Sequence, residues 1–130
     1  MKKLWGTTDR LFQTQDLQID LIRVDPMGHC SAHHHEFKDN LFIVLSGALR
    51  VVWGNVECLK SGGLPFSQTL TKNESLAVPS ETVHQFWNVG EEDVVAIEVY
   101  TSSGSSVDPL DIVRYSQGGV CKDGSSLWKN

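Results

Sequence analysis

"SAHHHEFKDNLFIVLSG", residues 31–47, runs three consecutive histidines into a nearly continuous apolar stretch that closes on Ser46-Gly47. The apolar part has no 3.6-residue period and is bounded by turn residues, so it reads as a strand. If the histidines belong to extended chain, side chains alternate between faces: His33 and His35 point one way and His34 the other. Two imidazoles at i and i+2 on one face can chelate a single metal ion, and neutral imidazoles suit Zn, Fe, Mn, Ni or Co. Taken alone, the run is also compatible with a solvated loop ahead of a strand, because histidines bind metal only where geometry converges.

Further short apolar segments lie on either side. "LQIDLIRV" (17–24) alternates and ends at Asp25-Pro26, while "ALRVVWG" (48–54) follows Gly47 at once. "VECL" (56–59) comes after Gly54-Asn55, a hairpin-like junction that predicts a returning strand. "ESLAVP" (74–79), "TVHQFWNV" (82–89) and "DVVAIEVY" (93–100) complete a series of about seven strands, which means an all-β sandwich or barrel. "KSGGLPFSQTLTKN" (60–73), with Gly62-Gly63 and Pro65, predicts a long loop or a poorly paired edge. The Ser- and Gly-rich tail carries one apolar patch, "LDIVRY" (110–115), expected to dock. The chain from about residue 116 is expected to be loosely held. The 130 residues suit one domain, 1–130, and show no internal repeat.

Composition narrows the function. Hydrophobic residues make up 40% and charged residues 21%, as in an ordinary soluble domain, and the net charge of -5 argues against nucleic acid or an anionic membrane as partner. Cys30, Cys58 and Cys121 are odd in number and widely spaced, which suits a reducing compartment. No apolar run approaches the roughly 18 residues of a membrane helix, and "MKKLWGTTDR" lacks the apolar stretch of a secretory signal. The expectation is a cytoplasmic protein.

A further histidine sharpens the metal reading. His84 lies in an otherwise apolar strand, where an unpaired imidazole would need a reason to be buried. The combined pattern resembles the cupin superfamily, small barrels of the double-stranded β-helix or jelly-roll type. Its first motif, G-x5-H-x-H-x3,4-E-x6-G, is followed from His33 on. His33 and His35 take the histidine places, Asn40 stands at the glutamate place, and Gly47 closes the motif; the opening glycine is displaced to Gly28. The second, G-x5-P-x-G-x2-H-x3-N, is matched by Pro79, His84 and Asn88, with Asn73 and Glu81 in place of its glycines. A narrower likeness runs along most of the chain. Trp5-Gly6, the HHH run, "LTKNES" (70–75), "IEVYTSSG" (97–104) and "LDIVRY" (110–115) are similar, in the same order, to the cupin domain of type II mannose-6-phosphate isomerases. That domain is often fused to a mannose-1-phosphate guanylyltransferase; the resemblance here implies the cupin part standing alone.

The resemblance implies a divalent metal ion, zinc first and iron, manganese, nickel or cobalt on the same donors. His33, His35 and His84 would be its ligands, and Asn40 a weaker, neutral fourth. It also implies sugar or sugar-phosphate isomerisation, with Glu98 as base and Arg114 either reaching an anionic substrate or forming a surface salt bridge. For Glu98 to serve, Val94, Ala96, Glu98 and Tyr100 must face the barrel interior. Phe42, Phe86 and Trp53 read as core or pocket walls. Three departures count against a sugar phosphate: Glu36 and Gln85 stand where that family has arginines, and "YSQGGV" follows the arginine of "DIVR". A non-catalytic carbohydrate or small-metabolite binding module and an iron dioxygenase are the rival readings. Edge strands of small barrels pair, so a homodimer is expected.

Overall fold

Residues 1–102, 106–121 and 128 are described by the computed structural model. The alternation of "LQIDLIRV" becomes strand β3, Leu17–Val24, which buries Gln18, Asp20, Ile22 and Val24 on one face. Ahead of it lie β1 (Lys2–Lys3) and β2 (Gly6–Gln13), and after it β4 (Gly28–His29) and β5 (His33–His34). The central strands are β6 (Lys38–Ser46), β7 (Leu49–Gly54), β8 (Phe66–Leu70), β9 (Ser75–Val78), β10 (Val83–Asn88) and β11 (Val94–Ser102). Two short strands, β12 (Val113–Arg114) and β13 (Gly119–Val120), belong to the C-terminal arm.

These pair into two antiparallel sheets. One has the order β1-β2-β3-β11-β6-β9; the other runs β12-β5-β10-β4-β13, with β7 on β10 and β8 on β7. The three inner strands of the first sheet place their buried faces in register. Asn40, Tyr100 and Gln18 form one row, and Glu98 lies opposite both Asp20 and Phe42. The next row is Ala96 with Ile22 and Val44. Polar side chains therefore collect at one end of the interior. At the other end Ile22, Val24, Phe42, Val44, Val94 and Ala96 close a core with Leu49, Val51, Leu70 and Phe86. Burial of this apolar end stabilises the barrel and leaves the opposite end to chemistry.

"VECL" is not a strand. Val56–Lys60 forms a short helix, α1, because the Asn55 side chain caps it by accepting from Cys58 N at 2.6 Å, with Glu57 in the first turn and Lys60 in the last. The stretch 60–73 is better paired than a loop: β8 runs antiparallel to β7 and stacks Phe66 on Trp53. Its Ser67, Gln68 and Thr69 are exposed, as befits an edge. Strand β2 is another segment with no apolar period, and its Asp9, Arg10, Leu11 and Phe12 are exposed at the sheet margin.

The substituted glycine positions of the second motif keep their backbone shape. Asn73 and Glu81 adopt positive φ, 70° and 66°, the left-handed region that glycine occupies without steric penalty. Asn88 donates to Val24 O at 2.9 Å and Glu92 O at 2.7 Å, tying the end of β10 to β3 and to the following turn. The docking expected of "LDIVRY" is seen: β12 pairs with β5, β13 pairs with β4, and Tyr115 N donates to Ala32 O at 2.8 Å. Of the tail expected to be loosely held, residues 122–127 and 129–130 lie outside the described residues, while Trp128 is buried. Among the described residues no helix is long and apolar enough to cross a membrane.

Candidate metal centre

Extended chain at residues 33–35 sends His33 and His35 inward, where both are buried, and leaves His34 half-buried on the other side. Strand β10 brings His84 directly opposite His33. The three rings gather with centroids 4.5 Å (His33–His84), 5.0 Å (His33–His35) and 5.3 Å (His35–His84) apart. A ligand nitrogen from each lies within 4.8 Å of the others.

A backbone carbonyl fixes the tautomer of each ring. Nδ1 of His33 lies 2.8 Å from Ser31 O, that of His35 2.7 Å from Asp111 O, and that of His84 3.0 Å from Thr82 O. A carbonyl only accepts, so Nδ1 carries the proton and each Nε2 presents a lone pair. The Nε2 atoms of His35 and His84 are buried and find no hydrogen-bond partner among the described residues. Burial, with mutual repulsion between the rings, holds the histidines neutral: His35 is lowered to about 3, His84 to about 4, and His33 well below its ordinary value. Neutral, oriented imidazoles with orphaned inward nitrogens are the donor set a divalent ion requires, so the residues present fit one.

Asn40 is also buried, on β6. Its Nδ2 donates to Glu98 Oε2 at 2.9 Å, and its buried Oδ1 also finds no partner among the described residues. Tyr100 donates its hydroxyl to the same Glu98 oxygen at 2.6 Å. Burial raises the Glu98 carboxyl despite these two donors, and the neighbouring Asp20 adds to the rise. Val94, Ala96, Glu98 and Tyr100 all face the interior. Asp39 points elsewhere and accepts from Ser80 N at 2.8 Å.

His33, His35, Glu98 and Tyr100 open onto a cavity of about 910 Å³. Arg114 lines it too, placed by the pairing of β12 opposite His33. Sequence reasoning missed part of this wall. Lys38, buried on the same face of β6 as Asn40, lies 4.6 Å from the centre of the Tyr100 ring and donates to Asp108 O at 3.2 Å. Burial lowers its ammonium. Gln18 and Arg10 hold Asp20 at 2.9 and 2.5 Å on the adjoining strands. The available signal was parity: Lys38 is two residues from Asn40, and Gln18 and Asp20 alternate with Ile19 and Leu21.

Other candidates lie outside. His34 stacks on Tyr115 and its Nδ1 is 2.8 Å from the Tyr115 hydroxyl. His29 is buried beside Cys30 O, away from the cluster. Gln85, at an arginine place of the resemblance, donates to Cys30 O and accepts from Trp128 N, a structural bridge. Cys30 is buried and its thiol is pushed up by that burial, so it is not a reactive thiolate. Phe42 and Phe86 belong to the core, and Trp53 packs against it.

Comparison with known proteins decides the family, because the family described as mannose-6-phosphate isomerase C-terminal matches residues 1–117. The chain belongs to that family. The chain is 32% identical over 111 residues to the xanthan biosynthesis protein XanB of Xanthomonas campestris, covering 85% of the chain and 21% of that protein. It spans about a fifth of the length of the curated relatives it matches, several of them mannose-1-phosphate guanylyltransferases. Among solved structures, the capsular polysaccharide assembling protein CapF of Staphylococcus aureus superposes with a TM-score of 0.72 at 22% identity, over 85% of this chain and 29% of that one. A Klebsiella pneumoniae protein with a double-stranded β-helix domain superposes at 0.67 with 15% identity, over 87% and 86%. The expected all-β cupin barrel is therefore the fold observed.

Proposed function

We propose that this domain is a metal-dependent isomerase of a sugar or sugar phosphate, with His33, His35 and His84 holding a divalent ion, zinc first. Asn40 Oδ1 would complete the set as a neutral donor. The observation that supports the reading is the convergence on one cavity of oriented, neutral imidazoles and a buried carboxyl raised by its surroundings. A bound ion would supply Lewis-acid polarisation of the substrate carbonyl and its neighbouring hydroxyl.

The chain's own residues would do the rest. Glu98 takes a proton from the carbon next to the carbonyl and returns it to the adjacent carbon, passing through an enediol, while the hydroxyl proton moves between the two oxygens. Tyr100 and Asn40 both donate to Oε2, which fixes the carboxyl plane and leaves Oε1 to receive the proton. A raised carboxyl is nearer in pKa to working pH, which favours reversible transfer. Arg114 and Lys38, among the cations lining the cavity, are those an anionic substrate group would meet beside the histidines. Exposed apolar margins such as Leu11 and Phe12 on β2 and Phe66 on β8 support a homodimer.

Metal content of protein purified without a histidine tag, together with interconversion of mannose 6-phosphate and fructose 6-phosphate, tests the reading. Stoichiometric metal and turnover are expected, with Glu98→Gln keeping the metal and losing roughly 10²–10⁴ in rate. Metal without turnover, or full activity in Glu98→Gln, overturns it. Asn40 at the place of a carboxylate favours one second reading, a sugar-binding module, and saturable sugar binding without turnover would select it.

A further inference from the structure

The histidine run and the C-terminal arm meet residue by residue. Arg114 pairs with His33 and Val113 with His34, extending the sheet that carries the cluster. Next to this pairing, Asp111 grips the three residues 35–37 in succession. Its carbonyl accepts His35 Nδ1 at 2.7 Å, and its carboxylate oxygens accept Glu36 N at 2.8 Å and Phe37 N at 2.9 Å. On the other side of the run Ala32 N donates to Ser116 Oγ at 2.8 Å, and Tyr115 N donates to Ala32 O at 2.8 Å. His34 holds the arm between these points, stacked on Tyr115 with a 2.8 Å contact between ring nitrogen and hydroxyl.

We infer that Asp111 is a positioning residue for the metal centre, and that the middle histidine, His34, anchors the arm on which Asp111 sits. This rests on the proposed ligand set. His33 and His84 take their Nδ1 acceptors from within two residues, Ser31 O and Thr82 O, so local chain shape orients them. His35 alone among the three depends on a carbonyl 76 residues away. Glu36 and Phe37 lie between β5 and β6, and the Asp111 carboxylate ties both of their amides to the arm. Glu81 N still donates to His35 O at 2.6 Å, so removing that carboxylate loosens the arm rather than the histidine backbone, and His35 Nδ1 loses a fixed acceptor. The ring then samples both tautomers and more than one rotamer, only part of which present Nε2 to the ion. HHH is thus read as ligand, anchor, ligand. Because Ile112 and Arg114 of the same arm line the cavity, the element that sets the metal geometry also builds the substrate wall.

The test is Zn²⁺ affinity of the full chain, by competition with a chromophoric chelator, for wild type, Asp111→Ala, Asp111→Asn and Glu74→Ala. Glu74 is a matched control: its carboxylate caps a turn by accepting from Thr71 N and Thr71 Oγ1 at the far end of β6. Asp111→Ala should weaken Zn²⁺ binding about 10–100-fold, the range for groups that orient a ligand. Asp111→Asn, which keeps one acceptor oxygen, should fall between, and Glu74→Ala should bind as wild type. Wild-type affinity in Asp111→Ala overturns the inference, and so does equal weakening in Glu74→Ala, which would make the effect one of general stability. If wild type binds no Zn²⁺, the ligand reading fails separately. The imidazole ¹⁵N shifts of His35 in metal-free protein then decide: a single Nδ1–H form that becomes mixed in Asp111→Ala supports positioning, and no change refutes it.

Discussion

Acidification of the metal-free protein should weaken it far more than an ordinary small barrel. In the folded chain His35 titrates at about 3 and His84 at about 4, against 6.5 for an exposed imidazole, because burial disfavours their charged forms. The unfolded chain therefore binds more protons than the folded one between about pH 4 and 6.5, so stability rises with pH across that window and levels off above it. Between pH 7 and pH 5 each of these two histidines withdraws about 2 kcal/mol, roughly 4 kcal/mol together, before His33 adds its share. That is a large part of the roughly 5–15 kcal/mol of a typical domain. Urea unfolding with a chelator present, at pH 7 and pH 5, measures the difference, and His84→Gln should shrink it by about 2 kcal/mol. A difference below about 1 kcal/mol, at unchanged denaturant slope, would refute the claim that these rings are held neutral by the fold.

Three other outcomes follow from particular residues. Asn40→Glu should tighten divalent-metal binding at least roughly tenfold by adding a charged donor beside three neutral ones, read by chelator competition; unchanged affinity would place Asn40 outside the ligand set. Phe42→Ala empties a fully buried position beneath the cluster and should cost about 3–5 kcal/mol by urea titration, with the far-ultraviolet spectrum kept. Glu81→Gly relieves a side chain held at φ 66° and should raise stability by roughly 0.5–1 kcal/mol, whereas a loss would mean the Glu81 side chain itself contributes contacts.

Much of the site is written in local spacing. Period-two alternation sends His33 and His35 to one face and His34 to the other, and it gives Glu98 and Tyr100 a common face on β11, all from nearest-neighbour geometry. Local reading failed where a partner decides. Strand β2 has no apolar alternation because it lies at the sheet margin, and β8 is polar for the same reason, so both exist through pairing with a neighbour. Residues 56–60 carry apolar side chains that fit either state, and the Asn55 cap tips them into a helix. Lys38 stands in a charged stretch ahead of the apolar run, yet its parity with Asn40 carries it into the cavity.

Taken by itself, the order of residues determined the all-β class, the two motifs and the identity of the three histidines, because each is a matter of alternation and short spacing along one chain. Only the tertiary structure decided what each group meets. Pairing across 58 residues puts Asn40 Nδ2 on Glu98, and pairing across 76 puts Asp111 O on His35. Such contacts arise from sheet register and the path of the arm. A carboxyl raised by burial, an imidazole held in one tautomer and a buried amide oxygen beside it exist only once distant strands have closed around them.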